Sequence, residues 1–199
     1  VTRSTNTLAC SWESGSLSMT SYNTDVFGIV NALMDAGCED VRHVAIIGSG
    51  ATAASGIAAA AQLGAEHVSI ISRNADQVEL SLIAEAVGVP IDFYSVGSYE
   101  NLEPSDVVLS TVPGDVVLSL SAIPRREQSF LLDVAYNPWP SQRALEWEKQ
   151  GGIAVSGLEM LVRQALIQVR IFVLGSPEAE LNHEQDVFEA MRASLSHRQ

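Results

Sequence analysis

Six short apolar runs mark the chain, at residues 43–47, 68–72, 91–94, 107–110, 130–134 and 153–155. Val44 to Ile47 is continuous rather than alternating, the pattern of a strand covered on both faces of a parallel sheet, and the others read as further short strands beside it. Segments with apolar residues at helical spacing fall between them. Asn23-Thr24-Asp25 opens one such helix, with Phe27, Ile29, Val30, Leu33 and Met34 inside it and Gly37 closing it; Thr24 or Asp25 suits the N-cap. Further helices are predicted over 51–63, 75–87, 142–150, 157–172 and 183–196. The last carries Val187, Phe188, Met191 and Leu195 as a packing stripe, which would favour self-association if left uncovered. Strands alternating with helices predict an α/β fold: a Rossmann-like, doubly wound parallel sheet of about six strands.

The N-terminal stretch follows another rule. Residues 5–11 and 17–22 flank Glu13-Ser14-Gly15-Ser16 and read as a β-hairpin. Two strands are not stable alone in water. The hairpin therefore calls for a sheet that the later strands do not supply, and a chain opening at Val1 suggests a preceding segment. Without one, residues 1–22 are expected to be poorly ordered or to pair with another copy.

The chemistry concentrates after the first buried strand, in Gly48-Ser49-Gly50-Ala51-Thr52-Ala53. Gly48 allows the tight strand-to-helix turn, Gly50 lets the backbone approach a diphosphate, and Ala53 lets the helix pack closely on the strand. Free N–H groups at the helix start then face the anion. A dinucleotide site selective for NAD usually has Asp or Glu at the end of the second strand, to hold the ribose 2′-hydroxyl. Ser72 and Arg73 stand there instead, and a guanidinium pairs with a 2′-phosphate, so the expected cofactor is NADP(H). Thr111-Val112, Val134 to Tyr136 and Gly157 fall at other strand ends on the same side of the sheet.

Composition narrows the partners. The 199 residues suffice for one domain, or one domain with an appendage, and a formal charge of −13 gives no electrostatic footprint for nucleic acid or an anionic membrane. Cys10 and Cys38 form no C-x-x-C, and the four histidines form no H-E-x-x-H, which argues against a disulfide framework or a metal site. With no long apolar span and no signal-peptide core, a cytoplasmic protein is expected. Lys149 is the sole lysine. Beside Glu146 and Glu148 near a helix end, it reads as a solvated charge.

Taken in order, these motifs resemble the shikimate dehydrogenase family over essentially the whole chain. Asn6-Thr7, the hairpin and Tyr22-Asn23-Thr24-Asp25 are similar to its V-N-T…Y-N-T-D segment. The glycine turn with Ser72-Arg73-Asn74 is similar to its phosphate loop and N-R-T clamp. Asp133-Val-Ala-Tyr136-Asn-Pro138 matches D-x-x-Y-x-P, and Gly157-Leu-Glu-Met160-Leu-Val-Arg-Gln164-Ala165 matches G-x-x-M-L-V-x-Q-A. The family's N-V-T-x-P-x-K segment, which carries its catalytic lysine, has no counterpart here. Val26 stands where the family usually has Gly, Ser72 where it has Asn, and Thr111-Val-Pro-Gly114 where it has T-S-x-G.

The resemblance implies a C-terminal portion of an NADP-dependent enzyme of aromatic amino-acid biosynthesis, which reversibly reduces 3-dehydroshikimate to shikimate. It divides the chain into residues 1–23, the last hairpin of a substrate domain; 24–158, the NADP domain; and 159–199, helices that pack back on the substrate domain. It implies that Asn6, Asp25, Tyr136 and Gln164 meet the substrate, with Asp25 the partner of the absent lysine in proton transfer. Val134, Gly157 and Met160 would lie at the nicotinamide and Thr111 and Val112 beside the cofactor. Ser72, Arg73, Asn74 and Gln77 would face the adenosine phosphate. Without the lysine, little or no turnover is expected from this chain alone. A non-catalytic NADP-binding or regulatory module and a quinate-using relative remain alternative readings.

Overall fold

A computed structural model describes residues 2–13, 15–73, 77–116 and 118–196. Asn74 lies outside the described residues. The six predicted strands are β3 (His43–Ile47), β4 (His67–Ser72), β5 (Ile91–Ser95), β6 (Ser105–Ser110), β7 (Arg125–Asp133) and β8 (Ile153–Ser156). They form one parallel sheet in the order β5-β4-β3-β6-β7-β8. The order reverses between β3 and β6, and that switch point opens the crevice at the strands' carboxyl ends.

The two faces are covered differently. Ile46, Ile70, Leu109 and Leu132 point to the side packed by α1 (Asp25–Asp35), α2 (Ala51–Gln62), α3 (Val78–Val87) and Met160 of α5 (Gly157–Leu174). Ile47, Ile71, Val108 and Leu131 point to the other side, where Trp147 of α4 (Gln142–Lys149) is buried with Leu102, Leu120 and Ile123. The expected alternation of strands with helices holds only in part. Among the described residues, the β5–β6 and β6–β7 connections contain no α-helix, and their own apolar side chains seal the second face.

β7 begins five residues before its apolar run. Its polar first half, Arg125 to Ser129, is joined to the apolar half across a register irregularity, with Gln128 at φ +58°. Polar residues with no alternation carry no strand signal, so only the buried half was legible.

Small residues set the tightest packing. An added Cβ on Gly56, inside α2, would meet Leu109 Cδ2 at 2.4 Å, and Ala53 is fully buried. The close helix–sheet approach expected of Ala53 is thus shared with Gly56. Gly28 does the same for the crossing of α1 and α5, where its Cβ would lie 2.7 Å from the Met160 carbonyl oxygen and 3.2 Å from Gln164 Cβ.

The N-terminal hairpin is formed by β1 (Thr7–Glu13) and β2 (Ser16–Tyr22), a separate two-stranded antiparallel sheet. Directly opposed residues share a face. Leu8, Cys10 and Trp12 therefore lie on one side with Met19 and Leu17, and all five are exposed, Trp12 by 75%. The opposite side is polar apart from Ala9 and Tyr22, and Thr7 on it is buried. At the other end of the chain, α6 (Glu184–Ser196) packs on α5 through Phe188 against Val162 and Leu166, with Val187, Met191 and Leu195 half-buried around them, so the stripe predicted there is packing surface. Arg163 lies over the Phe188 ring at 3.7 Å and Arg170 pairs with Glu184.

Candidate functional site at the carboxyl ends of the strands

The glycine turn sits at the switch point. Gly48 has φ +116°, and a Cβ there would come within 2.2 Å of Thr111 Oγ1. Two constraints, a left-handed backbone and a filled space, thus require glycine at this position. Thr111 ends β6 by bonding the Ile47 carbonyl with both its amide (2.9 Å) and its hydroxyl (2.8 Å). Gly50 is different. It is the N-cap of α2 in ordinary extended backbone, with φ −88° and ψ −168°, and a Cβ on it would meet nothing within 4 Å. No side chain caps α2, so the amides of its first turn, Ala51 to Ala53, lack intrahelical partners and open toward that space. An anion seated there would satisfy them.

The other predicted cofactor positions border the same crevice. Ser72 is buried at the end of β4, Arg73 is exposed immediately after it, and Gln77 is the N-cap of α3. Val112 follows Thr111, and Val134 follows β7, its amide bonded to the Ser110 carbonyl at 3.0 Å. Gly157 opens α5 directly against that strand end, where an added Cβ would be 2.1 Å from the Val134 carbonyl oxygen. Met160 is buried one turn further along α5, and Tyr136 projects from the loop after β7, 49% exposed.

A polar cluster joins the hairpin to α1. The Asn6 amide donates to Asp25 Oδ1 at 2.9 Å, while its oxygen accepts from the Thr24 amide, the Thr24 hydroxyl and the Thr7 hydroxyl at 2.9–3.1 Å. Asn23 accepts from the Asp25 amide and donates to Ser55 on α2. Thr24 holds the N-cap position, but its hydroxyl makes no capping bond and goes to Asn6 instead. Gln168 on α5 reaches the Thr24 hydroxyl at 3.4 Å, and one turn back Gln164 packs on Gly28. Gln164 Oε1 is buried and accepts no hydrogen bond among the described residues. An unsatisfied buried acceptor is costly and marks a position suited to a ligand donor.

Burial raises the Asp25 carboxyl above its ordinary value of 3.8, partly offset by the Asn6 amide. The raised pKa means that the folded state binds the proton more tightly than the unfolded chain. The contribution of Asp25 to stability is therefore fullest below pH 3.8 and is lost as pH rises through its folded-state pKa. Asp25→Asn keeps an acceptor for Asn6 and cannot ionise. Its thermal midpoint should exceed wild type at pH 7, with the gain shrinking as pH is lowered toward 3.8; a pH-independent difference would refute this.

The sequence reading missed Arg143. It is 3% exposed and donates from Nε and Nη2 to the two oxygens of fully buried Asp133, at 3.0 and 3.1 Å. Its Nη1 also bonds the Val116 carbonyl at 2.9 Å. A charged residue on a short helix gives no sign of burial unless its partner is already known. Asp133, quoted only as a motif letter, was the available clue. Lys149, by contrast, ends α4 exposed, as expected. Because α4 runs from the carboxyl end of β7 back to the start of β8, Lys149 lies at the far end of the sheet from the glycine turn. Cys38 is buried with its thiol pushed up to about 11, mainly by burial. Among the described residues no His, Cys, Asp and Glu group is placed to hold a metal ion, and no helix is long and apolar enough to cross a membrane.

Sheet order, switch point and glycine turn define a Rossmann fold preceded by a separate two-stranded antiparallel hairpin. No family model matches the chain. Individual relatives do, and most of them are shikimate dehydrogenases, whose C-terminal part the chain matches in sequence and fold; a quinate dehydrogenase of Corynebacterium glutamicum is also similar in fold, at 18% identity and a TM-score of 0.72, covering 94% of this chain and 66% of that one. It is 29% identical over 152 residues to the shikimate biosynthesis protein AroDE of Chlamydia pneumoniae, covering 76% of this chain and 30% of that protein. It is 28% identical over 171 residues to the shikimate dehydrogenase (NADP(+)) of Methanothermobacter thermautotrophicus, covering 80% of this chain and 60% of that enzyme. The crystal structure of Mycobacterium tuberculosis shikimate dehydrogenase superposes with a TM-score of 0.75 at 29% identity, covering 97% of this chain and 68% of that one. The chain thus spans less than two thirds of the length of the curated relatives it matches.

Proposed function

We propose that the chain binds NADP(H) across the β3/β6 crevice and serves, within a longer protein, as the nucleotide-binding part of a shikimate dehydrogenase. The observation that carries this reading is the open space over Gly50 at the switch point, with the unpartnered start of α2 facing it and Arg73 ending the neighbouring strand. In this reading the amides of Ser49 and Ala51 to Ala53 hold the diphosphate. Ser72, Arg73 and Gln77, with Asn74, take the adenosine 2′-phosphate, and Val134, Gly157 and Met160 pack at the nicotinamide.

When bound, NADPH supplies a hydride to the ketone carbon of 3-dehydroshikimate. The chain's own residues orient that substrate: Asn6, already fixed on Asp25, and the buried oxygen of Gln164 meet its hydroxyls, and Tyr136 closes over it. Reduction also requires a proton at the new alkoxide. Asp25 would hold a donor ammonium beside it, yet the only lysine of this chain lies at the opposite end of the sheet. The apolar hairpin face supports the same division of labour, because it offers packing surface to a preceding domain. Residues 1–23 then belong to that domain, 24–158 to the nucleotide domain, and 159–199 to the helices that join them.

The test is a titration of the 199-residue chain by nicotinamide fluorescence. NADPH should bind more tightly than NADH, with no turnover of shikimate. Gly50→Ala should melt like wild type, since its Cβ meets open space, but lose roughly tenfold in NADPH affinity, the scale of about 1.4 kcal/mol. Unchanged binding in Gly50→Ala would overturn the placement of the diphosphate.

A further inference from the structure

The Arg143 guanidinium is a junction between two loops that both border the crevice. On one side it bonds Asp133, the last residue of β7. Asp133 in turn accepts from the Ser141 hydroxyl at 2.6 Å and the Ala135 amide at 3.3 Å, so both ends of the 134–141 loop close on one carboxylate. On the other side Arg143 donates to the carbonyls of Val112 (3.4 Å), Pro113 (3.3 Å) and Val116 (2.9 Å), which belong to the loop after β6. That loop starts at Thr111, itself pinned to the Ile47 carbonyl beneath the glycine turn.

A buried ion pair is weak evidence for stability, because removing two charges from water costs most of what their attraction returns. A well-packed apolar side chain would fill the same volume. What the guanidinium adds is geometry: a rigid planar fork that fixes a carboxylate and three carbonyls at once, which a lysine cannot reproduce. We propose that Arg143 is a positioning residue for the nicotinamide half of the site, holding the loops after β6 and β7 at the separation a bound dinucleotide needs. It does not touch the crevice itself, being 3% exposed, and acts through the backbone it holds. The adenosine half lies on the β3–β4 side, where Arg143 has no partner among the described residues.

That asymmetry provides the test, which rests on the proposed NADP(H) reading. Two ligands are titrated into the 199-residue chain: NADPH, which spans both halves, and adenosine 2′,5′-bisphosphate, which occupies only the adenosine half. Arg143→Lys should weaken NADPH by roughly tenfold, the scale on which a small misplacement of binding elements acts, and leave the bisphosphate within about twofold. Equal losses for both ligands, as a general loosening would give, or no loss for either, would overturn the inference. If Arg143→Lys does not fold, Ser141→Ala removes only one bond to Asp133 along with the α4 cap, and should show the same selective loss in smaller degree. Failure of the wild-type chain to bind either ligand would defeat the NADP(H) reading and this inference with it. Wild-type binding of both, with a non-selective Arg143→Lys, would defeat this inference alone.

Discussion

Gly157→Ala should lower the thermal midpoint by about 6–12 °C, corresponding to roughly 3 kcal/mol for a domain of this size. The added Cβ would be 2.1 Å from the Val134 carbonyl oxygen, 2.4 Å from its carbonyl carbon and 2.8 Å from its Cα. All three are backbone atoms at the end of a central strand, so no rotamer change can relieve the clash. The start of α5 would have to withdraw from β7, and α5 also carries Met160 and Gln164 against Gly28. Loss of stability should therefore come with loss of whatever the α1–α5 crossing positions. A melt within 1 °C of wild type would mean that α5 has room the structure does not show. The contrast with Gly50→Ala is informative, since one glycine is required by packing and the other, in this reading, by a ligand.

The Gly157 case shows why the sheet was more legible than the site. Continuous apolar runs identify buried strands because burial on two faces leaves few polar positions, and 43–47 and 107–110 lie within observed strands for that reason, whereas 91–94 falls on the edge strand β5, where Asp92 is exposed. Where burial is partial the signal fades: the polar half of β7 and the loops that seal the second face were not anticipated. Glycines are visible as letters, but their reasons are not. Gly28 and Gly56 set two of the closest helix contacts in the molecule, and neither stood out in the sequence. The polar network behaved in the same way. Asn6 and Asp25 are 19 positions apart and were associated only through a family resemblance, whereas their 2.9 Å bond follows from the hairpin folding back on α1. Arg143 shows the limit most clearly, because a buried charge is defined by its partners and those come from two separate segments.

Arg73→Ala should reduce NADPH affinity by about 10- to 100-fold while leaving NADH within about twofold, the range expected for losing a charge-assisted bond of roughly 1.5–3 kcal/mol. The two cofactors differ only by the 2′-phosphate, so the ratio of their affinities isolates the guanidinium from every other contact. Arg73 is exposed at the end of β4, one strand from the glycine turn, where it is free of the packing constraints on Ser72. Its removal should therefore leave the melting temperature unchanged, which separates a binding role from a structural one. The selectivity should also shrink with added salt, because screening weakens an interaction between exposed charges. Arg73→Lys should recover only part of the preference: an ammonium keeps the charge but loses the planar, bidentate fit to phosphate oxygens. Equal losses for NADPH and NADH would place Arg73 on a part of the dinucleotide common to both, and unchanged NADPH binding would move the phosphate site away from β4 altogether.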